Sequence, residues 1–168
     1  MEPHIEPCRL RAAFGHFATG VAIITAAGES GQCAGMTINS FASLSLSPPL
    51  VLWSIAKCSG NHSLFTAATE FAVHVLRADQ AHLSRQFSTP GADRFRGVAF
   101  ECNSSGIPLL RDYHARIVCH REHRYEGGDH TIIIGRVLAI DSQDGDPLVF
   151  YRGRLNRVRE IAIPPKAP

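Results

Sequence analysis

Residues 113–125 read YHARIVCHREHRY, residues 126–130 read EGGDH, and residues 131–140 read TIIIGRVLAI. The first and last blocks are two long extended runs, and the Gly-rich block between them has the composition of a hairpin turn. After the turn Asp144-Gly145-Asp146-Pro147, the run Leu148-Val149-Phe150-Tyr151 closes the second half of the chain as strand. Working back toward the N-terminus, Val21-Ala22-Ile23-Ile24-Thr25 reads as a buried strand. It ends in Gly28-Glu29-Ser30-Gly31, and Gln32 to Thr37 returns as its hairpin partner. Leu50 to Ile55, entered through Pro48-Pro49, and Phe71 to Leu76 are further strands. Three short helices are expected. Leu10, Ala13, Phe14 and Phe17 recur at helical spacing before a stop at Gly20, Asn61 to Ala68 carries a polar cap, and Asp79 caps a helix through Phe87. Six or seven strands with two or three short helices predict a closed antiparallel barrel with helical excursions. A parallel βαβ sheet needs regular strand–helix alternation, which the second half lacks.

The chain of 168 residues suits one domain, with a core over about 9–158 and a Pro-rich C-terminal tail. A formal charge of +2 gives no reason to expect a nucleic-acid partner. Charge is unevenly spread, because no Asp, Glu, Lys or Arg occurs from Ser30 to Ala56. That stretch is long enough to cross a bilayer, yet it carries six serines, Gln32, Thr37, Asn39 and Pro48-Pro49, which exclude a membrane helix. No secretory signal is visible in the first residues, so the cytoplasm is the expected location. Five scattered cysteines without a C-x-x-C pair fit reduced thiols. His120 and His123 would point to opposite faces of a strand, so no metal site is expected.

No G-x-G-x-x-G, no G-x-x-x-x-G-K-[ST] and no G-x-S-x-G occurs, which disfavours a Rossmann domain, a P-loop NTPase and an α/β-hydrolase. What remains is a concentration of hydroxyls, amides and glycines in a charge-free setting. Such groups suit a polar but largely neutral heterocycle, which needs hydrogen bonds at its edges and apolar contact on its faces. On composition alone, Ser43, Ser45 and Ser47 read first as the solvent face of an alternating strand.

Three ordered segments, FATGVAIIT (17–25), GMTINSF (35–41) and SLSLSPPLV (43–51), resemble the short-chain flavin reductase family. Members of that family include the reductase components of two-component aromatic monooxygenases. The likeness continues through FAVHVL (71–76), GDH (128–130) and FYRG (150–153). It implies a mainly β fold, the FMN-binding split barrel, and usually a homodimer. It also implies contacts from Met36, Thr37, Asn39 and Ser40 to the isoalloxazine edge and ribityl chain of the flavin. The segment Trp53, Ser54, Ala56, Lys57 and Ser59 aligns with the phosphate-side contacts. Lys57 is one of only two lysines in the chain and ends the neutral stretch. Arg85 and Phe87 fall where the family approaches the flavin.

His130 matches the nicotinamide side and would hold that ring over the flavin. Phe150, Tyr151, Arg152 and Gly153 match the same side, Arg152 meeting a pyrophosphate or ribose. Relatives commonly carry Asn where this chain has His74, so no ligand role is carried over there. The activity implied is hydride transfer from NADH or NADPH to FMN or FAD, with reduced flavin passed to a partner monooxygenase and with neither nucleic acid nor membrane involved. The alternatives are a flavoprotein with tightly held flavin that reduces another acceptor, or a flavin- or haem-binding module without turnover.

Overall fold

The computed structural model describes residues 5–28 and 31–159. Both long runs are strands, β9 (Ala115–Gly127) and β10 (His130–Ser142), joined through Gly128 and Asp129 with His130 opposite Gly127. The other strands are β1 (Thr19–Gly20), β2 (Ala22–Ala27), β3 (Cys33–Ile38), β4 (Ala42–Leu46), β5 (Pro49–Ala56), β6 (Glu70–Val75), β7 (Phe100–Cys102), β8 (Pro108–Leu110), β11 (Leu148–Tyr151) and β12 (Arg154–Arg157). The helices are α1 (Pro7–Phe14), α2 (His62–Ala67) and α3 (Ala81–Ser88).

Seven strands form one antiparallel sheet in the order β3-β2-β6-β9-β10-β5-β4. The sheet closes on itself where Asn39-Ser40-Phe41 carries the chain from β3 to β4. The Ser40 hydroxyl accepts a bond from the Ser54 N–H and donates to the Ser54 carbonyl, at 3.1 Å each, fastening that crossover to β5. Two smaller sheets, β1-β11-β12 and β7-β8, lie outside it.

Strand β2 shows why the barrel needs its excursions. Ala22, Ile24 and Ala26 point into the barrel core with Trp53, Phe71 and Ile133, while Val21 and Ile23 join a second core with Leu76, Leu83, Phe87, Leu110 and Leu148. A strand buried on both faces reads as a near-continuous apolar run, as residues 21–27 do, broken only by Thr25, whose hydroxyl donates to the Pro108 carbonyl at 2.6 Å. The second core is roofed by α3 and the β7-β8 hairpin. His74 on β6, fully buried, ties that roof down: its Nδ1 lies 3.2 Å from the Ile23 carbonyl, and its Nε2 accepts the Leu110 N–H at 3.1 Å.

Three local expectations are corrected. Helix α1 starts at Pro7 and ends at Phe14, earlier than the Leu10–Phe17 spacing suggested, and buries nothing, so its apolar period is not a core face. Asp79 does not cap the third helix. Gln80 Oε1 accepts the Arg77 N–H at 2.8 Å at the head of a 3₁₀ turn over Ala78–Gln80, and Asp79 instead pairs with the Arg77 guanidinium. Residues 42–46 form β4, but its leucines face outward, Leu46 being 94% exposed. The turn residues Glu29 and Ser30 lie outside the described residues.

Candidate active site

Where the two cores meet, a cleft of about 570 Å³ opens to solvent. One wall is Val21 with Thr37, Ile38 and Asn39 at the end of β3; the second is Ser84, Arg85 and Ser88 on α3; the third is Phe150, Gly153, Arg154 and Leu155 on the β11-β12 hairpin. The volume lies within the usual range for a small-molecule site. Its lining combines apolar faces, hydroxyls, an amide and two guanidiniums, with no carboxylate among the described residues. Neither Arg85 nor Arg154 makes an ion pair among the described residues. These groups fit a flat heterocycle with an anionic substituent: the apolar side chains cover its faces, Asn39 and the serines meet its edge, and the cations favour negative charge.

The walls are rigid for identifiable reasons. Thr37 Oγ1 donates to the Ser84 carbonyl at 2.7 Å, stitching β3 to α3. Gly35 lets Phe87 lie directly on β3, and Phe87 in turn meets Phe95 edge-on at 5.2 Å. The third wall turns through Arg152 and Gly153, both with positive φ (49° and 77°), the geometry of a type I′ hairpin. Arg152 is the only non-glycine in that region among the described residues, and its N–H donates to the Gly15 carbonyl at 2.9 Å.

The structure therefore brings Thr37, Asn39 and Arg85, expected on the flavin side, into one cleft with Phe150 and Gly153, expected on the nicotinamide side. Ser40 sits behind them in the barrel-closing bond to Ser54. Two residues further along β5, on the order of 7 Å, Ala56 pairs with His130. Here the Lys57 N–H donates to the Asp129 carbonyl at 2.9 Å, and the Lys57 ammonium pairs with Glu126. His130 Nδ1 lies 2.7 Å from Asp129 Oδ1. The imidazole beside it holds the Asp129 carboxyl below the usual range. Ser59 accepts the Asn61 N–H at 3.3 Å. Lys57 and His130 thus meet at the end of β5, with Ser59 two residues on, as a second, polar station outside the lining of the cleft.

Other expected residues are placed differently. Trp53 is fully buried, edge-on to Phe65 and Phe71 at 5.5 and 5.7 Å, and Phe87 is fully buried under α3, so both rings support the walls from behind. Met36 packs against the barrel core. Tyr151 and Arg152 lie on the outer side of the turn, Tyr151 edge-on to His16 at 6.5 Å. Val21, Ile38, Ser84, Ser88, Arg154 and Leu155 line the cleft without being expected there from the sequence. The i, i+4 pair Ser84/Ser88 flanking Arg85 was a usable signal, whereas β12 has no apolar period to announce it.

Comparison with known proteins shows the family. The model of the flavin reductase like domain matches residues 14–159. The chain is 49% identical over 147 residues to the FMN reductase (NADH) SmoA of Agrobacterium fabrum, covering 88% of this chain and 83% of that protein. It is 38% identical to the reductase component of a 4-nitrophenol 4-monooxygenase/4-nitrocatechol 2-monooxygenase from Rhodococcus opacus, covering 89% and 80%. Against two further relatives, both from Rhizobium meliloti, it spans only 48% and 64% of their length. The solved Streptomyces globisporus NADH:FAD oxidoreductase SgcE6, in complex with NAD and FAD fragments, superposes with a TM-score of 0.87 at 38% identity, over 96% of this chain and 99% of that one. By sequence and by its split-barrel fold, the chain belongs to the flavin reductase like domain family.

Proposed function

We propose that the protein is an NADH-dependent flavin reductase that reduces FMN or FAD and hands the reduced flavin to a monooxygenase component. The observation that carries this reading is the single cleft in which Thr37, Asn39 and Arg85 face Phe150 and Gly153. Two ring systems that exchange a hydride must stack at roughly 3–3.5 Å, so their binding residues must converge on one opening. The chemistry belongs to the flavin, which takes up the hydride when bound; the protein binds, orients and excludes water. Asn39, Ser84 and Ser88 pair with the ring edge, and Val21, Ile38, Phe150 and Leu155 cover its faces. Arg85 and Arg154 favour the anionic form that reduction produces. Lys57 and Ser59 take the phosphate end along β5, and His130 holds the nicotinamide, its Nδ1 fixed by Asp129 so that Nε2 is the free face. Met36, Ser40, Ser54 and Ala56 shape the path between the two stations. Trp53 and Phe87 act from behind the walls, and Tyr151 and Arg152 meet the outer part of the dinucleotide.

A homodimer accounts for the exposed apolar side chains. Leu44 and Leu46 on β4, Leu138 and Ile140 on β10, and Phe14 and Phe17 beside the β11-β12 turn are all exposed, more than a soluble monomer ordinarily leaves open. All five cysteines are free and no described helix is long and apolar enough to cross a membrane, which suits the cytoplasm. The names of relatives favour NADH and the monooxygenase partnership: SmoA is an FMN reductase (NADH), and the Rhodococcus opacus protein is a monooxygenase reductase component.

His130→Ala tests the division of roles. The KM for NADH is expected to rise about tenfold, the scale of one charge-assisted or ring contact, while the dissociation constant for FMN, read by flavin fluorescence, stays within twofold. A selective loss of flavin affinity would mean that the two sides are assigned the wrong way round.

A further inference from the structure

The station at Lys57 already holds a carboxylate. The Lys57 ammonium pairs with Glu126, the last side chain of β9 before its two glycines. Lys57, His62 and Arg124 all act on that carboxylate and hold it below the ordinary glutamate range. Two of these cationic or basic groups are fixed by other bonds. Arg124 donates to the Thr66 carbonyl at 2.6 Å, and His62 Nε2 lies 2.9 Å from Thr131 Oγ1. The Glu126 side chain, by contrast, is 75% exposed. One largely exposed acid therefore sits against Lys57, within electrostatic reach of the basic groups His62 and Arg124. An exposed ion pair of this kind adds little to the fold, so stability does not account for it.

We propose that Glu126 is an internal stand-in for the phosphate of the flavin nucleotide, occupying Lys57 until that phosphate displaces it. The inference rests on the placement of Lys57 at the phosphate end. A phosphate carries more charge and more acceptor oxygens than a carboxylate, so it wins the exchange once the ring is seated in the cleft. Displacement frees one of the two ties between β5 and the β9-β10 turn. The other, from the Lys57 N–H to the Asp129 carbonyl, keeps the turn in register. Glu126 thus sets how strongly the enzyme discriminates a phosphorylated flavin from riboflavin. Because it shares the turn with His130, its displacement is felt on the nicotinamide side.

The test uses the full chain and four ligands: FMN, riboflavin, NADH and dihydronicotinamide riboside. Glu126→Gln removes both the competitor and a like charge. It is expected to tighten FMN by about threefold to tenfold, from the size of an exposed pair plus one charge repulsion. Riboflavin should stay within twofold, and Glu126→Ala should behave as Glu126→Gln does. Lys57→Gln should weaken FMN but not riboflavin, and in that background Glu126→Gln should lose the part of its gain due to competition for Lys57 and keep only the smaller part due to charge repulsion. The inference is overturned if Glu126→Gln leaves FMN unchanged, shifts FMN and riboflavin equally, or tightens NADH over dihydronicotinamide riboside while FMN is unmoved. If Lys57→Gln itself fails to separate FMN from riboflavin, the placement of the phosphate at Lys57 falls first, independently of Glu126.

Discussion

Gly35→Ala should destabilise the fold by about 2–3 kcal/mol, the upper range for forcing an extra carbon into a filled site, and weaken flavin binding with it. A Cβ at residue 35 would lie 2.5 Å from Phe87 Cε1, 2.8 Å from Phe87 Cδ1 and 3.1 Å from Phe95 Cζ. An exposed ring could swing away, but Phe87 is fully buried and held edge-on against Phe95. The strain must therefore be relieved by lifting α3 from β3, which stretches the Thr37–Ser84 bond and moves Ser84, Arg85 and Ser88 in the cleft wall. Urea denaturation of Gly35→Ala, Phe87→Leu and the double variant provides the check. The double variant should lose less than the sum of the singles, because the smaller side chain makes room for the methyl. Wild-type stability in Gly35→Ala would show that the close approach is not a constraint.

Acid should loosen the roof before it titrates the surface carboxylates. Burial lowers the His74 pKa to about 3, with the Arg116 charge acting in the same direction and the bond to the Ile23 carbonyl opposing it. Well above pH 7 neither the folded nor the unfolded state is protonated at this residue, and its contribution to the pH dependence vanishes. Below the ordinary value near 6.5 the unfolded chain binds a proton that the folded state refuses, so stability falls with decreasing pH. By pH 4.5 the loss attributable to His74 is about 2–3 kcal/mol. His74→Asn, the residue the family resemblance leads one to expect there, keeps an amide for the Ile23 carbonyl, is too short to reach the Leu110 N–H as Nε2 does, and carries no titrating group, so it should flatten the slope between pH 6.5 and 4.5. An unchanged slope in that variant would assign the acid sensitivity elsewhere.

Much of the barrel could be read from local pattern, because long strands with Gly-rich turns carry their own period; β9, β10 and the β2-β3 hairpin are of this kind. β12 and the β7-β8 hairpin could not, being short, polar or set by packing against the second core. The site followed the same division. Thr37, Asn39, Phe150 and Gly153 lie in motifs whose order resembles a family, and the fold brings them into one cleft. Trp53 and Phe87 sit in equally recognisable segments, yet the alternation of β5 and the apolar face of α3 turn their rings inward. Arg154 follows the FYRG motif by one residue and lines both the cleft and the outer side of the turn, whereas Arg152 lines the outer side alone. The partnership of Lys57 with Glu126 joins residues far apart in sequence and depends on register alone.

Turnover of the flavin in this cleft at the expense of reduced nicotinamide underlies every role assigned above. It is tested most directly by following NADH absorbance with the purified protein while FMN or FAD is titrated in under anaerobic conditions. Negligible oxidation is expected without flavin, with a rate that saturates as flavin is added and one flavin reduced per NADH consumed. No oxidation of NADH or NADPH with either flavin would contradict it, as would oxidation that proceeds at full rate with another acceptor when no flavin is added.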